Sequence, residues 1–217
     1  MKNSNKPLQI DIVSDVVCPW CVIGYRQLAE ALENTNTAHE IHWHPFELNP
    51  NMPPEGQNLR EHIIEKYGSS VQESNDSRTR MTTAGADVGF EFQFTDDTRM
   101  HNTFNLHQLL HWADQQGQMH DLKQALFTAH FTNNRDISDN AVLADIASEI
   151  ELDRTEALAV LEDQRFAKDV RDSEQRSAKQ GIQGVPAVIF NGRHLVSGAQ
   201  GVENFTKILE QLAENPD

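Results

Sequence analysis

The stretch Cys18-Pro19-Trp20-Cys21 contains both cysteines of this 217-residue chain. It follows an apolar run, Leu8-Gln9-Ile10-Asp11-Ile12-Val13, and it precedes a helical pattern that begins near Val22. Two thiols three positions apart, between a strand and a helix, are typical of a centre that cycles between dithiol and disulfide. The spacing and its context therefore predict redox chemistry at this point of the chain.

Charge and hydropathy exclude several kinds of partner. Lys and Arg number 18 against 33 Asp and Glu, a formal net charge of −15, which disfavours nucleic acid and anionic membrane surfaces. The polar stretch 1–7 has no segment apolar enough for a secretory signal, and no apolar run reaches membrane-spanning length. We therefore expect a cytoplasmic protein, in which a lone cysteine pair is more typical of catalysis than of a structural disulfide. No oligomeric state is predicted.

The chain begins with an alternation of strand and helix. β-favouring residues predict a strand over Leu8–Ser14, and helical spacing follows the cysteines to about residue 34. Alternating residues predict a second strand over 40–48. The turn-rich stretch 49–56 is the clearest boundary in the sequence.

A long helical block follows this boundary. Ser138 and Asp153 are predicted to cap two of its helices. The segments with helical period are 59–67, 70–88, 101–115, 119–133, 139–150, 154–161 and 164–180.

The chain is predicted to end in a hairpin and a helix. Asn191-Gly192 is a type I′ turn signal between strands 185–190 and His194–Ser197, and an amphipathic helix follows over Val202–Glu214. The element order predicts an α/β protein: a thioredoxin fold formed by residues 1–56 and 164–217, with residues 57–163 as a large inserted α-helical domain.

The position of Cys18 at a helix N-terminus favours its thiolate. Unpaired backbone N–H groups and the helix dipole stabilise an anion there, so we expect the pKa of Cys18 to be lowered. Pro19 suits the first helical turn, where its missing N–H has no partner to lose. Cys21, one turn further in, is shielded, so we assign attack to Cys18 and resolution of the mixed disulfide to Cys21.

Two other interpretations of the cysteine pair remain open. Both could be inert thiols, or they could bind zinc with histidines from the group His39, His42 and His44. The sequence has no second cysteine pair, and His42 and His44 share one strand face. We therefore expect no metal and no tightly bound cofactor.

The segment Gly184-Val185-Pro186 is the second part of the candidate site. A proline at the start of such a strand suggests a cis peptide bond. In a thioredoxin fold this proline faces the cysteine pair, and the backbone of Val185 pairs with the substrate chain. The alternative is a proline that merely begins an edge strand.

Several motifs together resemble one family. They are Ser14–Cys21, Pro45-Phe46-Glu47-Leu48-Asn49-Pro50, Arg135-Asp136-Ile137-Ser138, Gly184-Val185-Pro186 and Val196-Ser197-Gly198-Ala199-Gln200. In this order they are similar to the FrnE-type branch of the DsbA family, over nearly the whole chain. The resemblance implies thiol–disulfide oxidoreductase activity on protein or small-thiol substrates, with Cys18 as nucleophile, Cys21 as resolving thiol and Pro186 as the cis-proline.

Related proteins supply alternative functions. Kappa-class glutathione transferases and 2-hydroxychromene-2-carboxylate isomerases resemble the chain in architecture, but they generally have serine at the first motif position and favour an acidic residue in the turn after the last strand. Here both cysteines are present, and that turn, 198–201, has no acid. Glutathione remains possible as a reductant. A redox-switched holdase is a third hypothesis.

Three further residues are candidates near the pair. We predict that Trp20 offers an exposed aromatic surface to substrate, although it could pack over the helix. His107 lies in a FrnE-like segment and is a candidate for the substrate cleft, although its apolar neighbours favour packing. Glu47 is a possible proton acceptor, but we expect it to lie in water at the end of its strand.

Overall fold

The computed structural model describes residues 6–215. The strands are β1 (Leu8–Ser14), β2 (His39–Pro45), β3 (Gln57–Asn58), β4 (Arg99–Met100), β5 (Ala187–Phe190) and β6 (His194–Ser197). The helices are α1 (Pro19–Asn34), α2 (Leu59–Tyr67), α3 (Val71–Asp87), α4 (Phe104–Gln115), α5 (Met119–Phe131), α6 (Asn140–Glu149), α7 (Arg154–Asp163), α8 (Ala167–Lys179) and α9 (Val202–Glu214).

The central sheet has the strand order β2-β1-β5-β6. β1 pairs parallel with β2 and antiparallel with β5, and β5 pairs antiparallel with β6. Neighbouring residues of a strand point to opposite faces, so Ile12 and Val13 lie in separate apolar clusters. Helix α1 packs against α9, and α8 packs against β2. The predicted α/β thioredoxin fold with a helical insertion is confirmed.

The helical block α2–α7 joins the thioredoxin part through a continuous core. Fully buried side chains of α4 and α5 lie in the same apolar cluster as those of β1 and α1. Its boundaries at 57 and 163 therefore stay a prediction, and residues 1–5 and 216–217 of the predicted flanking domain lie outside the described residues. No helix within residues 6–215 has the length and apolar character needed to cross a membrane.

The sequence-based prediction of the hairpin turn is confirmed, and so is one of the two predicted helix caps. Asn191 and Gly192 both have positive φ, as a type I′ turn requires, and the Asp153 side chain accepts from Glu156 N at 2.9 Å. Ser138 was wrong as a cap: Asp139 accepts from Ala141 N at 2.7 Å, and the helix begins at Asn140. The Ser138 N–H instead donates to Asp136. The short β3–β4 pair was not predicted.

Candidate active site

The two thiols lie where β1 passes into α1. Cys18 occupies the cap position with an extended backbone, Pro19 is the first helical residue, and Cys21 N donates to Cys18 O at 3.0 Å. Both thiols are free. Cys18 is 4% exposed and Cys21 is fully buried, so Cys18 is the outer sulfur of the pair.

The loop before β5 lies directly beside Cys18. The Val185–Pro186 peptide bond is cis, and Cys18 Sγ lies 3.8 Å from Val185 O. Gly24 of α1 allows this approach, because a Cβ there would lie 3.1 Å from Pro186 Cγ. The fold therefore brings Cys18 beside two other predicted site residues, Val185 and Pro186, the first of which is 167 positions away in sequence.

The acidity of the pair differs from the sequence prediction. The hydrogen bond with Cys21, together with burial, raises the pKa of Cys18 well above its usual value. Burial opposes ionisation of Cys21 too, but hydrogen bonding with Cys18 and Ser14, followed by the charge of Lys123, outweighs it and lowers the pKa of Cys21. The expected lowering at Cys18 was wrong for this geometry, because the hydrogen bond with Cys21 and burial both oppose ionisation of Cys18.

A buried carboxylate follows β1 immediately. Asp15 is fully buried; its Oδ2 accepts from Leu48 N at 2.7 Å, and its Oδ1 lies 3.6 Å from His107 Nε2. Burial opposes its ionisation, but the contacts with His107 and Leu48 prevail and lower the pKa of Asp15. Asp15 is thus a charged group inside the protein, one turn before the outer thiol.

His107 is the partner of Asp15 rather than a surface residue. It is 3% exposed, and its Nε2 also lies 3.0 Å from Phe46 O. In the structure its contacts are with Asp15 and Phe46, and its predicted substrate contact stays a prediction.

Helix α5 places a lysine among the same groups. Lys123 is 1% exposed, and its Nζ donates one long hydrogen bond, 3.5 Å, to Ser14 O. The ammonium also lies over the rings of Trp43 and Phe127, at 5.5 and 5.1 Å from their centroids. Burial lowers the pKa of Lys123 to about 8, opposed by the charges of Cys21 and Asp15.

The expectation that Glu47 lies in water was wrong. Its side chain is 2% exposed and forms an ion pair with Arg171 of α8. Burial raises the pKa of Glu47 despite this pair. The packing of α8 over the end of β2 covers Glu47, and this long-range contact has no local signal in the sequence.

The remaining candidates have distinct surroundings. Trp20 is 40% exposed beside the outer thiol. His39 contacts its own loop at Thr37, and His44 contacts Asp11 at 2.8 Å. No group of three or more His, Cys, Asp or Glu side chains in the described part of the chain is arranged to hold a metal ion.

Sequence reasoning missed two site residues, Asp15 and Lys123. Asp15 had a detectable signal, because it is a carboxylate between a buried strand and the cysteine motif. Lys123 had a weaker one: it lies next to Leu122 and three positions before Leu126, both buried, so it interrupts an apolar helix.

Comparisons with known proteins agree with this geometry. The crystal structure of a probable DsbA oxidoreductase, SCO1869 from Streptomyces coelicolor, is 30% identical, covers 97% of this chain and 92% of its own, and has a TM-score of 0.91. The uncharacterized protein YwbO of Bacillus subtilis is 24% identical over 93% of this chain and 96% of its own length.

A third protein shares the fold at lower identity. The cytosolic disulfide reductase DsbM of Pseudomonas aeruginosa is 17% identical, with a TM-score of 0.66 over 95% of this chain and 98% of its own. The model of the DSBA-like thioredoxin domain matches residues 9–210. This chain therefore belongs to the DsbA-like thioredoxin-domain family.

Proposed function

We propose that this protein is a thiol–disulfide oxidoreductase in which Cys18 and Cys21 exchange disulfides with protein or small-thiol substrates. The observation that carries the proposal is the layout of the pair: an outer thiol at a helix N-terminus, an inner thiol one turn away, and the Val185–Pro186 loop against the outer one. The FrnE-type branch is the proposed subtype.

The first step forms a mixed disulfide. A proton shift along the hydrogen bond between the sulfurs makes Cys18 the thiolate. Cys18 Sγ then attacks one sulfur of the substrate disulfide; the substrate S–S bond breaks, and the other substrate sulfur leaves as a thiolate and takes up a proton.

The second step resolves the mixed disulfide. Cys21 loses its proton and attacks Cys18 Sγ, and the bond between Cys18 and the substrate breaks. The second substrate sulfur leaves as a thiolate and is protonated. The two electrons that reduce the substrate come from the Cys18–Cys21 pair, which becomes a disulfide, and the reverse sequence oxidises a dithiol substrate.

Two surface groups fit substrate binding beside Cys18. The exposed ring of Trp20 offers apolar contact, and the Val185 backbone lies against the outer sulfur, where an extended substrate chain can pair with it. We assign Pro186 the role of holding that backbone in place. A cytoplasmic location, with glutathione as a reductant, fits the cytosolic disulfide reductase that shares the fold.

Insulin reduction by dithiothreitol tests the proposal. The protein should accelerate insulin precipitation, and Cys18→Ser should abolish the acceleration because it removes the attacking sulfur. Unfolding in urea should match for both proteins, since the change is small and near the surface. Activity of Cys18→Ser equal to that of the unchanged protein would overturn the proposal.

Two measurements separate this function from its alternatives. Titration calorimetry of the reduced protein with glutathione tests the transferase or isomerase hypothesis, which requires a bound thiol cofactor. Suppression of citrate synthase aggregation in both redox states tests the holdase hypothesis. Disulfide exchange with no glutathione complex and no holdase activity is the result that we expect.

A further inference from the structure

A buried positive charge next to the inner thiol has no role in the steps described above. Lys123 is 1% exposed, and among residues 6–215 its Nζ has one hydrogen-bond acceptor, Ser14 O, at a long distance. Within residues 6–215 no carboxylate oxygen lies within 4 Å of its Nζ; the Asp15 oxygens face Leu48 and His107 instead. An ammonium buried with so few partners is costly unless a negative charge forms beside it.

Cys21 is the group that can form a negative charge there. Cys21 is fully buried, and of all groups its charge interacts most strongly with Lys123, ahead of Asp15 and Cys18. Cys21 lies at the start of α1, and Ser14 is the last residue of β1, so the lysine reaches the point where these two elements meet.

The two exchange steps place different demands on the inner thiol. Before attack, Cys18 donates a hydrogen bond to Cys21 and stabilises a charge there. In the mixed disulfide Cys18 has no proton to donate, so Cys21 loses that support when it must ionise. Lys123 remains as the nearby positive group.

We propose that Lys123 is a positioning residue for the second step, an inference that rests on the proposed function. Its ammonium is the counter-charge of the Cys21 thiolate that resolves the mixed disulfide. The charge comes from helix α5 of the insertion and not from the thioredoxin sheet. The rings of Trp43 and Phe127 fix the ammonium in place.

Solvent reaches this lysine through one cavity. The cavity has a volume of about 420 Å³, and its lining includes Lys123, His107, His44 and Asp169. The titratable groups around the ammonium are therefore Cys18, Cys21 and Asp15 on the dithiol side and these cavity residues on the other.

Stopped-flow reaction of the reduced protein with Ellman's reagent separates the two steps, because each releases one yellow thiolate. Attack by Cys18 releases the first, and attack by Cys21 on the mixed disulfide releases the second. In Lys123→Met the second release should slow about five-fold at pH 6–7, since less Cys21 is ionised, with part of the loss offset by higher intrinsic nucleophilicity. Its pH profile should move to higher pH, and the first release should slow less than the second, because before attack the hydrogen bond between the thiols also supports the negative charge.

The matched control is Lys207→Met. It removes the same charge from an exposed lysine of α9 that pairs with Glu203, and both releases should match the unchanged protein. Lys123→Arg keeps the charge and should restore part of the second rate. If Lys123→Met does not fold, Lys123→Gln provides the same test with a polar side chain.

The outcomes distinguish this inference from the proposed function. A folded Lys123→Met or Lys123→Gln variant with an unchanged second release and an unchanged pH profile would overturn the role of Lys123 and leave disulfide exchange intact. Absence of any second release in the unchanged protein would overturn the proposed function itself.

Discussion

The thioredoxin part and the helical block meet at the same pair of thiols and supply it with different groups. The thioredoxin part contributes the sulfurs of Cys18 and Cys21 and the loop at Pro186. The helical block contributes ionisable side chains, His107 from α4 and Lys123 from α5. The helical block therefore covers the two thiols and also supplies groups that shift the pKa values of Asp15 and Cys21.

The largest expected effect concerns the reacting atoms. Cys21→Ala should lower turnover in the insulin assay by about a thousand-fold, because the mixed disulfide can no longer be resolved within the protein. Incubation with oxidised glutathione should leave an adduct of one glutathione on Cys18, visible by mass spectrometry. Cys18→Ala should form no such adduct. Rapid turnover by Cys21→Ala would show that the inner thiol is not the resolving group.

The next effect concerns the boundary between the two regions. Asp15→Ala should lower the free energy of unfolding by about 3 kcal/mol, because it leaves the Leu48 N–H without its acceptor and removes the carboxylate beside the buried His107. Asp15→Asn keeps one acceptor oxygen and should cost less. Urea unfolding of both variants measures the difference, and equal costs would mean that the lost contacts are unimportant.

The same carboxylate predicts a pH dependence with a definite sign. The pKa of Asp15 is lower in the folded chain than its ordinary value of 3.8, despite the burial that opposes ionisation, because His107 and Leu48 favour the charged form. Its contribution to stability is therefore present above about pH 4 and is lost as the pH falls further. Asp15→Asn should lack this component.

The smallest of these effects lies within the helical block. Burial lowers the pKa of His130 on α5 from 6.5 to about 3, so between these values the unfolded chain binds a proton that the folded chain does not. Stability should be full above about pH 6.5 and lower by about 2 kcal/mol at pH 5. His130→Leu should flatten this slope in urea unfolding at pH 5–7, whereas the exposed His39→Gln should not. An unchanged slope in His130→Leu would contradict the prediction.

The features that the sequence predicted well are local ones. The strand before Cys18, the helix after it and the turn at Asn191-Gly192 depend on residues within a few positions of one another, so spacing and residue type reveal them. The buried state of Glu47 depends on Arg171, 124 positions away. The residue pattern of a single segment does not reveal a contact between two residues so far apart.

The predicted pKa shift of Cys18 was also wrong because of contacts between residues that are distant in sequence. A helix N-terminus does favour an anion at Cys18. The structure adds a buried neighbour, Cys21, which raises the pKa of Cys18, and a lysine from a helix about 100 positions away, whose charge lowers the pKa of Cys21. The charges that decide the outcome become neighbours only after the insertion has packed.

The close approach of Gly24 to Pro186 fixes the spacing between helix α1 and the loop before β5. Because Gly24 presents only hydrogen atoms to the proline ring, this contact contains no side chain on the helix that could change rotamer. The spacing between the thiol-bearing helix and the Val185 carbonyl is therefore set there by a backbone surface.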